Sequence, residues 1–131
     1  MIGKNASDYW SAEVALSSSN KYLWATSRAL ANATYPGYIS AFSLSNGTGP
    51  DGGHILSQLF MVPTTTNGGI ANQIAPAPFS DDFFTLADNP KGYVQMWKVQ
   101  KSANGTLVGA EVVAQVDMRD GGCCANVLWY D

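Results

Sequence analysis

The chain repeats itself, and this constrains its fold more than any other feature. Gly37-Tyr38-Ile39-Ser40-Ala41-Phe42 returns as Gly92-Tyr93-Val94-Gln95-Met96-Trp97, and Lys21-Tyr22-Leu23-Trp24-Ala25 returns as Asp82-Phe83-Phe84-Thr85-Leu86. Asn46-Gly47-Thr48 returns as Asn104-Gly105-Thr106, and Asn67-Gly68-Gly69 as Asp120-Gly121-Gly122. The first three pairs are 55, 61 and 58 residues apart. A drifting spacing of this kind marks one supersecondary unit built twice, with loops of variable length between its elements.

Each unit reads as four strands, near 12–16, 21–27, 37–45 and 54–62 in the first and near 71–76, 82–88, 92–100 and 106–117 in the second. Alternation carries the third strand of each: Tyr38, Ser40, Phe42 and Leu44 share one face, as do Tyr93, Gln95, Trp97 and Val99. Asn-Gly falls between the third and fourth strands in both units, where a type I′ hairpin turn needs two residues that tolerate positive φ. Composition agrees with an all-β chain: thirteen Gly, fifteen aromatics and only two Glu. Four-stranded antiparallel units of this length are the blades of β-propellers. The expected organisation of residues 1–131 is therefore a partial propeller. It has one blade at 12–62, a second at 71–117, and a closing strand at 125–130 that begins a unit with nothing behind it. Two blades are too few to close a ring, so the chain is expected to need missing blades or to self-associate.

The same composition excludes several functions. Seven basic against ten acidic residues give a net charge of −3, without the basic surface that nucleic acid requires. No apolar run approaches a membrane span, and residues 1–7 lack the apolar stretch of a signal peptide. Cys123 and Cys124 are adjacent, which is no zinc-ligand spacing, and the Gly-Gly pairs lack the context of a phosphate loop.

At Lys21-Tyr22-Leu23-Trp24-Ala25-Thr26-Ser27-Arg28, Gln58-Leu59-Phe60-Met61-Val62-Pro63-Thr64, Pro78-Phe79-Ser80-Asp81-Asp82 and Asn126-Val127-Leu128-Trp129-Tyr130-Asp131 the chain resembles the C-terminal part of the fungal 3-carboxy-cis,cis-muconate cyclases. These are seven-bladed propellers related to bacterial lactonases. The resemblance implies an isomerase that closes a lactone within its substrate: one carboxylate adds across a double bond, and a proton reaches the carbon beside another carboxyl. Such a step needs fixed cationic donors and a general acid, but no cofactor. The ligand implied is a small anionic polycarboxylate, and the compartment implied is the cytoplasm.

The resemblance places Arg28 where the family carries an arginine at the mouth of the central channel, binding a substrate carboxylate. The residues themselves put Arg28 at the end of a second strand, opening the loop from Ala29 to Pro36. Glu13, on an innermost strand where the family has a carboxylate, is a possible channel-lining group. The family has a histidine after the Gly-Gly of the crossover loop, whereas this chain has Ile70, which can neither donate nor accept a hydrogen bond. His54, entering a fourth strand, is expected to be structural, and Asp81-Asp82 to cap backbone amides at a turn. Trp24, Phe42, Phe84, Trp97 and Trp129 are expected between the blades. Asn5, Asn32, Asn46 and Asn104 each open an N-glycosylation sequon, a pattern that suggests secretion instead of the cytoplasm. Three readings follow: a cyclase-like isomerase whose remaining acid and anion-binding groups lie on earlier blades, a non-catalytic secreted binding module on the same scaffold, and a fragment inactive alone.

Overall fold

In the computed structural model, which describes residues 5–30, 32–45, 53, 55–68, 71–88, 91–118 and 127–130, eight strands form two antiparallel sheets of four. The first contains β1 (Tyr9–Leu16), β2 (Tyr22–Ala29), β3 (Pro36–Ser45) and β4 (Ile55–Asn67). The second contains β5 (Ala71–Pro76), β6 (Phe83–Asp88), β7 (Tyr93–Lys101) and β8 (Leu107–Asp117). Each is a meander in chain order. The only helical element among the described residues is a 3-10 turn at Ala6–Asp8, so none is long enough to cross a membrane.

The sheets pack face to face, and the core lies between them. Residues opposed across a ladder share a face, so Trp24, Ala41 and Phe60 turn together towards the second sheet, as do Ile39 and Val62. The second sheet answers with Ile74, Phe84, Leu86, Trp97, Val99 and Leu107, all buried. Trp24 and Phe84 meet with ring centroids 4.8 Å apart, and Phe84 stacks on Trp97 at 5.9 Å. Phe42, expected in this seam, instead turns with Leu23 and Val14 onto the outer face of the first sheet, because alternation along β3 gives the inward positions to Ile39 and Ala41.

The repeat keeps register through the middle of the strands. Trp24–Ala41–Phe60 and Ile39–Val62 in the first sheet correspond to Thr85–Met96–Ala114 and Val94–Val116 in the second. Two irregularities coincide as well: β1 bulges between Ser11 and Glu13 as β5 does between Ala71 and Gln73, and β3–β4 shifts after Ala41 as β7–β8 does after Met96, whereas the shifts at Pro36–Tyr38 and at Gln100–Lys101 each belong to one sheet. Glu13 and Gln73 are therefore equivalent positions on the two first strands. Residues 127–130 pair in no ladder but continue this series. The Val127 amide donates to Gln73 Oε1 and the Trp129 indole to the Ala75 carbonyl at 2.9 Å, so the segment runs alongside β5 in the same direction.

Three local details depart from the sequence expectations. β4 runs on to Asn67 through Pro63, which an edge strand tolerates because one side of its backbone has no ladder partner. The turn at 102–106 is not type I′. Only Gly105 has positive φ (82°), and the Asn104 side chain accepts the Thr106 amide, the arrangement of a longer hairpin loop closed by a left-handed glycine. Its counterpart at 46–48 lies outside the described residues. Asp81, expected to cap its own turn, reaches across to the first sheet. It accepts the Ser18 hydroxyl at 2.9 Å, the Ser19 amide at 3.0 Å and the Ser19 hydroxyl at 2.5 Å, while Asp82 pairs with Lys101.

Burial would raise the Asp81 pKa, but the Ser19 and Ser18 donors outweigh it and hold the carboxyl below its usual 3.8. A carboxylate whose folded pKa is depressed contributes stability that is complete above the unfolded pKa and fades as pH falls through the folded value. Asp81→Ala is expected to cost about 0.5–1.5 kcal/mol at pH 7, since the bonds it loses are solvent-exposed, and the difference from the parent should shrink in acid. Urea melts of both proteins across pH 2–7 would show this.

Candidate functional site

One end of the seam gathers most of the polar chemistry. Here β1 and β3 begin, β2 and β4 end, and in the second sheet β5 and β7 begin where β6 ends. Arg28 is the penultimate residue of β2 and pairs with Trp10 on β1. Its guanidinium carbon lies 4.7 Å from the centroid of the Trp10 ring, within reach of a cation–π contact that holds the planar fork against the indole. The Arg28 Nε is buried, whereas Trp10 is half exposed at 53%. The strand end that carries Arg28 depends on a glycine across the ladder. A Cβ on Gly37 would stand 2.4 Å from the Ser27 carbonyl oxygen and 3.2 Å from the Arg28 Cα, so any larger residue must push β2 and β3 apart. On the other face of the same strand end, Tyr9 packs at 5.5 Å against both Tyr35 and Tyr38, and burial followed by the neighbouring Tyr38 pushes its hydroxyl up to about 12.

Glu13 lies three residues along β1 and shares the inward face with Arg28, since its ladder partner Thr26 is two residues before Arg28 on β2. The bulge at Ser11–Glu13 turns the Glu13 amide onto Thr26 Oγ1 at 3.2 Å. The Glu13 carboxyl accepts a hydrogen bond from Gln73 on the adjoining first strand, and Gln73 in turn accepts the Val127 amide. The side chain of Gln73 thus ties three successive inner segments. Burial raises the Glu13 pKa above 4.5, and the Gln73 bond offsets only part of that rise.

A third cluster spans the same end of the seam, and sequence reasoning missed it. Asp88, fully buried, accepts the Thr66 hydroxyl at 3.1 Å and the Tyr93 hydroxyl at 3.2 Å, and its other oxygen accepts the Lys91 amide at 3.4 Å. Gln95 donates to Thr65 at 2.8 Å and to Gln115 at 2.6 Å. The Thr65 and Thr66 bonds join the end of β4 to the second sheet. The available signal was the Thr64-Thr65-Thr66 run, three hydroxyls directly after a strand core. Among the described residues no group of three or more His, Cys, Asp or Glu is placed to hold a metal ion. The sequon residues Asn5, Asn32 and Asn104 are exposed. Ile70, His54, Cys123, Cys124 and the sequon at Asn46 lie outside the described residues.

Glu13 gives a direct test of this geometry. Its folded pKa is raised, so the folded state holds a proton that the unfolded chain releases near 4.5, and stability falls as pH rises through the interval between the two values. Glu13→Gln removes the charge and keeps an acceptor. It is expected to raise the melting temperature at pH 7 and to leave it unchanged at pH 4, which paired thermal melts would reveal.

No family profile matches the chain. It is 34% identical over 117 residues to carboxy-cis,cis-muconate cyclase of Neurospora crassa, a match that takes in 89% of this chain and 29% of that protein. It is 33% identical over 98 residues to muconate cycloisomerase 1 of Cutaneotrichosporon cutaneum, covering 71% of this chain and 25% of the relative. The chain therefore spans between a quarter and a third of the length of these curated relatives. In structure it is similar to a candidate 6-phosphogluconolactonase from Bacteroides fragilis, with a TM-score of 0.58 at 15% identity, over 82% of this chain and 26% of that one. That likeness concerns the fold alone.

Proposed function

We propose that this member of the carboxy-cis,cis-muconate cyclase family supplies two blades of a lactonase-like propeller and, through Arg28, one anion-binding group of a lactone-forming isomerase. The observation that carries the proposal is the position of Arg28. A guanidinium braced on Trp10 at the end of a strand, on the rim of the seam, can present two parallel N–H donors to a carboxylate. In the reaction a substrate carboxylate oxygen forms the new C–O bond. The π electrons of the attacked double bond move onto the carbon beside a second carboxyl, and that carbon takes a proton. Negative charge passes through the second carboxyl as an enolate-like oxygen, and Arg28 steadies it there. An arginine is too weak an acid to give up the proton itself, so the general acid comes from blades beyond these two. The chain is then inactive by itself.

The loss of diene absorbance from 3-carboxymuconate reports the reaction. The 131-residue chain alone is expected to leave the uncatalysed rate unchanged, and clear turnover would refute the placing of the acid elsewhere. In a polypeptide that joins this sequence to further blades of the family, Arg28→Ala is expected to lose about 2 kcal/mol, roughly thirtyfold in kcat/KM. Arg28→Lys should lose less, since it keeps the charge but not the two-pronged geometry. An Arg28→Ala protein as active as its parent would remove Arg28 from the site.

A further inference from the structure

The two outer faces of this sheet pair stand in the same register relation as the two faces that the seam already joins. In the seam, the first sheet offers Trp24, Ile39, Ala41, Phe60 and Val62, and the second inserts the opposite side of its own sheet. The register equivalents of those five residues are Thr85, Val94, Met96, Ala114 and Val116, on the outer face of the second sheet. These same five, with Gln115, line a groove of about 150 Å³ that is almost wholly apolar. The complementary surface stands on the far side of the molecule. The residues that fill the seam from the second sheet include Ile74, Leu86, Phe84 and Trp97. Their equivalents on the first sheet are Val14, Ala25, Leu23 and Phe42, with Leu16 beside them. Val14 is 62% exposed and Leu16 51%.

We propose that the grooved face of the second sheet takes the Val14–Leu16–Phe42 face of a second copy of this chain, head to tail, in the geometry of the existing seam. The contact is heterologous: a different surface on each partner, repeated from copy to copy. One segment opposes it. The step that carries Glu13 to Gln73 carries Gln73 to Val127, so residues 127–130 stand where β1 of the incoming copy must lie. The C-terminal segment and the second copy's β1 compete for one place beside β5. This inference does not depend on the role given to Arg28.

The test is sedimentation velocity of the 131-residue chain over a concentration series, beside a chain ending at residue 126 and two single variants. Val116 is 61% exposed on the groove and Leu16 51% exposed on the opposite face, so Val116→Asp and Leu16→Asp each block one surface at a site where a charge remains hydrated. The full chain is expected to associate reversibly by about 100 μM, and removal of 127–131 to tighten association by about tenfold or more. Each Asp variant alone is expected to be monomeric. Mixed, they should form a 1:1 dimer and nothing larger, because Val116→Asp retains the Val14 face and Leu16→Asp retains the groove. A full chain monomeric to millimolar concentration would overturn the proposal and leave the groove to other sheets of a longer polypeptide. A truncated chain that associates no more tightly, a variant that self-associates like the parent, or a mixture that stays monomeric would also overturn it.

Discussion

The seam between the two sheets is the constraint on which the rest of the structure depends. A four-stranded meander is a single layer, so neither sheet can dry its core alone. Burying Trp24, Ile39, Ile74, Phe84, Leu86 and Leu107 contributes about 1.5–3 kcal/mol each, and every one of these contacts crosses or borders the seam. Which side of each strand faces inward follows from that packing, while residues 127–130 are held beside β5 by Gln73 and the Ala75 carbonyl.

Apolar packing alone would let one sheet slide over the other, since the hydrophobic effect has no direction. Hydrogen bonds at the two ends of the seam supply the direction. At one end Asp81 collects Ser18 and Ser19 from the turn of the first sheet. At the other, Thr65 and Thr66 at the end of β4 engage Gln95, Asp88 and Tyr93. A slip of one residue along the strands would break both sets together and take the Thr66 hydroxyl from the buried Asp88, at about 1–3 kcal/mol, while the Tyr93 hydroxyl and the Lys91 amide stay with it. The rim that carries Arg28 and Glu13 lies at the second of these anchors.

Much of the fold was legible in the sequence because a repeat read twice corrects itself. Two copies of Gly-Tyr-x-x-x-aromatic, each followed by Asn-Gly, marked two four-stranded units before any contact was known. What alternation could not give was which face of each sheet meets the other: Phe42 and Trp97 occupy equivalent places, yet one turns outward and the other fills the core. The end of β4 was hidden because Pro63 reads as a strand terminator when edge position is unknown. At the site, Arg28 and Glu13 were legible as residues, but their surroundings were not. Trp10 reaches Arg28 only through the β1–β2 ladder, and Gln73 reaches Glu13 only once the first strands of both sheets lie side by side. Asp81 shows the same limit, since a carboxylate at a turn looks local until a second turn is brought against it.

The seam is asymmetric: the side of a sheet that receives is not the side that inserts. A unit whose front fits its own back requires no new contact surface when its coding segment is duplicated in tandem, because the added copy meets its parent through surfaces already selected for each other. Paired bulges at Glu13 and Gln73, with the same ladder shift after Ala41 and Met96, are what such a history leaves behind. On this view, selection on one unit's packing acts on the number of units as well, and the size of the ring becomes a matter of copy number, not of invention.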